Sequence, residues 1–304
     1  RVDQTAADAL SRVRSAGLRS REVHVVPVTD HRRRFVGVVD LPDLVTAAIG
    51  TPVGELIRFD TYSVRVDEDR EVAARLMQEA DLVALPVVDA EDRLAGLITV
   101  DDAMEILESE DTEDIHRVGG VAPLDVAYMD ASVLQHARKR GMWLLVLIVA
   151  AASTITIMEA FEDELAAVHV LAFFIPLLVD TGGNAGTQAS TLVIRAMAVG
   201  EVRFSDLSRI LHRELRIGLL LGLALGSVSF VIISLLYGRD LGVVVAVTLV
   251  AICTWASFAG GLLPLLAKRL GVDPAVISGP LITTVVDATG LIIYFLVAGV
   301  VLGL

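Results

Sequence analysis

The chain of 304 residues is 54% hydrophobic with a mean hydropathy of +0.67, yet it carries a net charge of −13. That is too apolar for an ordinary soluble enzyme. Its acidity also argues against nucleic-acid partners, which need clustered cations. Its single cysteine, Cys253, excludes a disulfide framework within the chain.

Charge and hydropathy divide the sequence. Residues 1–135 hold 27 Asp/Glu against 14 Lys/Arg, whereas residues 136–304 hold 11 of each. The whole net charge therefore sits in an acidic half that precedes a neutral, apolar one. The acidic half suits divalent-cation partners. It begins with Arg1 inside a repeat, so upstream sequence is expected.

The repeat is set by Pro27, Gly37 and Asp43, spaced by 10 and 6, and by Pro86, Gly96 and Asp102 at the same spacings. Each copy reads helix, strand, turn, strand, helix. Helices are predicted over 6–16 and 70–80, and short strands over 23–28, 34–39, 82–88 and 93–99. Neither copy is large enough to bury a core alone, so the two are expected to pair. The pattern resembles a tandem pair of CBS domains, the first over 1–50 without its leading strand and the second over 51–109. Some CBS domains bind adenosine nucleotides through a Gly-x-x-Thr/Ser-x-x-Asp element, which Gly96, Thr99 and Asp102 match. The resemblance thus implies an ATP site in the second copy. Read from the residues alone, Thr99 is equally a helix N-cap followed by first-turn acids. In the first copy Asp40 stands at the Thr position.

Eight acids and no Lys or Arg occupy residues 101–114. On a helix Asp101, Glu105 and Glu108 share one face, and Glu110, Glu113 and Asp114 another. Such crowding is relieved either by solvent, as in an acidic linker, or by divalent cations on oxygen ligands.

Five membrane spans follow, over 142–158, 166–198, 217–237, 241–267 and 276–303, each long enough for a ~30 Å core. Arg138, Lys139 and Arg140 precede the first. Arg203, Arg209, Arg213 and Arg216 follow the second, and Lys268 and Arg269 follow the fourth. Alternate loops are acidic or nearly neutral. The acidic half is therefore expected in the cytoplasm, below the inner (plasma) membrane. Gly218, Gly222 and Gly226 mark a helix-packing face, and Pro176, Pro264 and Pro280 are expected to kink or interrupt their helices.

The second span carries a polar stripe of Asp180, Asn184, Thr187, Gln188, Thr191 and Arg195 at helical spacing, beside Gly182, Gly183 and Gly186. Polar residues in hydrocarbon are costly and belong on a bundle interior or a water-filled path. The fifth span carries Asp287, with Gly279, Thr283 and Tyr294 near the same face. A lone intramembrane carboxylate is a candidate cation ligand.

The run Asp-Thr-Gly-Gly-Asn-Ala-Gly-Thr-Gln from Asp180, with Ile194-Arg195 and Gly200-Glu201, resembles the second membrane helix of the MgtE family of magnesium transporters. The segment from Pro274 to Phe295 resembles that family's last helix. The resemblance implies α/β cytoplasmic tandem CBS domains, a connecting plug helix over 110–135, and an all-α five-helix membrane domain over 136–304. It implies a homodimer embedded in membrane lipid, conducting Mg2+ between the second and fifth helices of both chains. Asp287, Asn184, Thr187 and Thr283 would line the pore, Thr187 standing where relatives often have Asn. Asp81, Glu105, Glu110, Glu113 and Asp114 would hold the regulatory Mg2+ that keeps the pore shut. Glu214 also matches an acid of that family. The family's acidic helical domain before the CBS pair has no counterpart in this sequence. Two other readings stay open: transport of another divalent ion such as cobalt or manganese, and a non-conducting membrane sensor whose CBS pair binds nucleotide. No phosphate-binding loop, metal-hydrolase motif or nucleophile elbow points to an enzyme.

Overall fold

The computed structural model describes residues 1–16, 24–58, 61–124, 126–277 and 279–304. These fall into two compact units, Arg1–Thr112 and Glu113–Leu304.

In the first unit, α1 (Ala6–Ser15) leads to a hairpin of β1 (Val25–Thr29) and β2 (Phe35–Asp40) and then α2 (Leu41–Thr46). The second copy adds a short leading strand, β3 (Val64–Arg65). Then come α3 (Arg70–Glu79), β4 (Ala84–Val88), β5 (Leu94–Thr99) and α4 (Val100–Val118). The strand expected over 23–28 is seen from Val25; Val23 lies outside the described residues. β1 and β2 are antiparallel, as are β4 and β5, while β3 joins β4 in parallel.

The repeat extends to the turns. Asp30 Oδ1 accepts the backbone N–H groups of Arg32 and Arg34, and Asp89 Oδ1 those of Glu91 and Arg93. Arg33 and Asp92 take the left-handed conformation at φ 65° and 61°. Both hairpins shift register at the same place, Val28/Thr29 and Val87/Val88. The two turns pair with each other: Phe35 N–H donates to Asp92 O at 2.8 Å and Leu94 N–H to Arg33 O at 3.1 Å. Each copy retains its own small core, around Val28, Val39 and Leu44 in the first and Val64, Met77 and Leu85 in the second.

α4 is one continuous helix, so the domain boundary expected between 109 and 110 falls inside it. Nothing in the acidic run breaks a helix. The break comes at Gly119–Gly120, with Gly120 at φ 69°. The connecting segment expected as helix over 110–135 is therefore helical only to Val118, and the next helix starts at Val133.

The membrane unit comprises α5 (Val133–Ala160), a short α6 (Glu162–Ala167), a 3-10 turn (His169–Phe174), α7 (Ile175–Ala198), α8 (Leu207–Tyr237), α9 (Arg239–Arg269) and α10 (Gly279–Leu302). Among the described residues, five helical segments are long and apolar enough to cross a membrane. α5 and α8 begin some ten residues before the apolar runs that mark their spans, because their charged first turns remain helical. The second span is split into the 3-10 turn and α7. Pro176 and Pro280 do not kink helices; they sit in the first turns of α7 and α10, where a missing N–H costs nothing. Pro264 alone lies inside a helix, α9.

The core of this unit joins Leu171, Leu178, Leu249, Ile252, Ile282, Val286 and Phe295. Tyr294 is an anchor here rather than part of a polar face: it is fully buried, and its hydroxyl donates to Leu171 O at 2.9 Å. α8 packs on α9 through the expected glycine face. A Cβ on Gly222 would lie 2.6 Å from Val250 Cα, which is backbone and cannot step aside. Gly222→Val is thus expected to destabilise the unit by roughly 1–3 kcal/mol or more, read as a lower Tm in detergent. Gly141→Ala, where a Cβ meets open space, should leave the Tm unchanged or raise it slightly.

Candidate ion pathway

α7 has two faces. Its small residues Gly182, Gly183, Ala185, Gly186 and Ala189 are buried against α9 and α10. Its polar residues Asp180, Asn184, Gln188, Thr191 and Arg195 are exposed. The glycines explain how α10 comes so near. A Cβ on Gly183 would lie 3.0 Å from Thr283 Cγ2 and 3.6 Å from Asp287 Oδ1. A Cβ on Gly279 would lie 3.0 Å from Thr187 Cγ2.

The seam between α7 and α10 therefore brings together Thr187, Thr283 and Asp287, with Asn184 one residue from the contact point. Thr283 Oγ1 donates to Pro280 O at 2.9 Å, leaving its lone pairs to accept. Thr187 Oγ1 is buried with no hydrogen-bond partner among the described residues. Asn184 Nδ2 donates to Asp180 Oδ2 at 3.2 Å. Asp180 belongs with the set although the sequence placed it only on the stripe, for its carboxylate holds the side chain of Asn184. Its helical offset from Asn184 was the signal. Among the described residues no Lys, Arg or His forms an ion pair with Asp287, and no group of three or more His, Cys, Asp and Glu could hold a metal. The described residues thus offer a polar seam with one half-buried carboxylate, not a closed metal site.

The regulatory candidates lie in both units: Asp81, Glu105 and Glu110 in the first, Glu113 and Asp114 in the second. Two of these acids have cationic partners from outside the acidic run. Glu110 pairs with Arg70, at the start of α3, at 2.7 Å, and Glu113 pairs with Arg117, which also binds Asp273. Glu105 is exposed with Asp101 and Glu108 on one face of α4. Asp81 takes the left-handed conformation that ends α3, at φ 51°, a position usually given to Gly or Asn.

Thr99 and Asp102 form a reciprocal cap on α4. Thr99 Oγ1 donates to Asp102 Oδ2 at 2.6 Å and Thr99 N–H to the same oxygen at 2.9 Å, while Asp102 N–H donates to Thr99 Oγ1 at 3.4 Å. These bonds, first that from the Thr99 hydroxyl, hold the Asp102 carboxyl below the usual carboxylate range. Asp40, at the matching place in the first copy, makes no such cap and pairs with Arg58 at 3.1 Å. The glycines differ too. A Cβ on Gly37 would strike Ile57 Cγ2 at 2.4 Å, whereas one on Gly96 would meet nothing within 4 Å.

Glu214 is buried on α8, against Gly261 of α9.

Known proteins divide along the same line as the two halves. A family profile described as MgtE, divalent cation transporter, matches residues 175–297, and a CBS-domain profile matches residues 53–109. The chain is 42% identical to the magnesium transporter MgtE of Thermus thermophilus, over 99% of this chain and 67% of the relative. The chain belongs to the MgtE family. It is 32% identical to the magnesium transporter MgtE of Enterococcus faecalis, over 98% of this chain and 65% of that relative. It thus spans about two thirds of the length of these MgtE relatives. A solved structure of the cytosolic domain of the Mg2+ channel MgtE in complex with ATP shares 38% identity over 35% of this chain and 43% of that one, at a TM-score of 0.33. MgtE proteins are transporters, not enzymes, and the chain is a membrane member of that family with a CBS domain.

Proposed function

We propose that the chain carries Mg2+ across the membrane as a homodimer, with the acidic half in the cytoplasm sensing Mg2+ and closing the path. The observation that carries this is Asp287: a half-buried carboxylate with no basic partner among the described residues, beside a helix whose polar stripe is exposed. One carboxylate per chain is a weak cation site. A second copy related by two-fold symmetry would cover the stripe and double the charge, and closed two-fold dimers are the commonest assemblies. Mg2+ sheds its water reluctantly, so hydroxyls, amides and carboxylates that read its hydration shell suit it. Thr187 and Thr283 have the lone pairs to do so.

Liposomes carrying the full chain should take up Mg2+ and largely exclude Na+, with Co2+ and Mn2+ as competing ions. Absence of flux would favour a non-conducting sensor, and uptake of Co2+ or Mn2+ in preference to Mg2+ would change the cargo. The same preparation should give a dimer mass by light scattering in detergent. A conducting monomer would remove the reason for placing the path on a two-fold axis.

A nucleotide such as ATP is a second ligand that one observation favours, the open face of Gly96 beside Thr99 and Asp102. The matching face of Gly37 is filled by Ile57.

A further inference from the structure

The first turns of α8 carry a feature that ion conduction does not use. Arg209, Arg213 and Arg216 fall on one face at i, i+4 and i+7, and Leu220 continues it one turn higher. With Ser208, His212 and Ile217 they line a groove of about 470 Å³. This face is opposite the one that packs on α9: Glu214 and Gly218, on the other side of the helix, are buried, whereas Arg213, Arg216 and Leu220 are exposed. Arg209 reaches Asp206 at 3.6 Å but is 87% exposed. Among the described residues, Arg213 and Arg216 form no ion pair.

We propose that this groove binds the headgroup of an anionic phospholipid in the leaflet on the side of the acidic half. Guanidinium groups pair with phosphate through parallel N–H bonds. Directly above them Ile217 and Leu220 offer the apolar surface that an acyl chain needs. A second copy of the same face is a poor occupant, because three arginines would meet three. A basic rim set at the start of a membrane helix, with apolar side chains one turn above it, fits an amphiphile better than a free ion.

Native mass spectrometry of the full chain tests this, with phosphatidylglycerol or phosphatidylcholine supplied in the detergent. The wild type should retain phosphatidylglycerol in preference to phosphatidylcholine. Arg209→Gln, Arg213→Gln and Arg216→Gln together should cut that preference by about fivefold per arginine removed. Arg138→Gln, Lys139→Gln and Arg140→Gln, which remove as many charges outside the groove, should keep it. Equal retention of the two lipids, or loss of preference in both triple variants alike, overturns the proposal. So does displacement of phosphatidylglycerol by an equal concentration of inorganic phosphate, which would make the groove a free-anion site. If the groove variant fails to insert, a photoactivatable phosphatidylglycerol decides the matter on wild-type protein. It should label peptides within residues 208–220. Labelling elsewhere, or a cross-link to a second copy through this face, rejects the assignment.

Discussion

Asp287→Ala is expected to abolish Mg2+ uptake into liposomes carrying the full chain, while the protein still inserts and assembles. Asp287→Asn, which keeps volume and hydrogen-bonding capacity but loses the charge, should lower flux by about tenfold for each ~1.4 kcal/mol of attraction removed and weaken selectivity over Na+. Stability separates this from a structural role. An intramembrane carboxylate held by a basic partner would cost several kcal/mol to remove, because the partner would be left buried and uncompensated. Asp287 has no such partner among the described residues. Neutralising it should therefore leave the Tm unchanged or raise it, the usual trade between a functional group and stability. Wild-type flux and selectivity in Asp287→Ala would remove Asp287 from the path. A large fall in Tm in Asp287→Asn, with flux merely following the loss of folded protein, would make it a structural residue.

Much of this arrangement was legible in the sequence, for identifiable reasons. A membrane span is fixed by hydrocarbon thickness, so five apolar runs gave five helices. The extra helical turns of α5 and α8 were not legible, because hydropathy reports where lipid begins and not where the backbone stops coiling. The repeat showed in Pro27, Gly37 and Asp43 and their partners, since turns and caps demand particular residues. That the two turns would pair, through Phe35 and Leu94, depends on tertiary approach and leaves no local mark. The same limit hid two of the ion pairs. Arg70 lies forty residues before Glu110, and Arg117 meets Asp273 156 residues away. The pairing of Glu113 with Arg117, four residues on and just past the acidic run, is by contrast a local helical pair. At Gly37 and Gly96 the spacing is identical and only the packing of Ile57 tells the two faces apart. The α7–α10 seam was half legible. Glycines announced a close approach, but the structure was needed to show that Gly183 meets Asp287 while Gly279 meets Thr187.

Those ion pairs sharpen what is expected of gating. Replacing Glu110, Glu113 and Asp114 together by Ala should leave maximal flux intact but make closure need more Mg2+. Asp81→Ala with Glu105→Ala should act in the same direction. Moving the protein from mostly open to mostly shut takes roughly 5.5 kcal/mol of differential binding in all, which several weak carboxylate sites could share. The arginines offer a competing account. If Glu110 and Glu113 serve only to hold Arg70 and Arg117, the acid variants would disturb closure by breaking pairs, with no role for Mg2+ at these residues. The two accounts differ in sign. When the acids bind Mg2+, an arginine competes with the metal for the same carboxylate, so Arg70→Gln or Arg117→Gln should free a ligand and lower the Mg2+ needed for closure. When the pairs themselves close the path, each arginine variant should resemble the acid variant and raise it. Flux measured in liposomes against Mg2+ on the side of the acidic half distinguishes them. Opposite shifts for the arginine and acid variants support a Mg2+ sensor in this stretch. Parallel shifts make it an ion-pair latch. Closure at the wild-type Mg2+ concentration in the triple acid variant would leave it a solvated linker, with the sensor elsewhere.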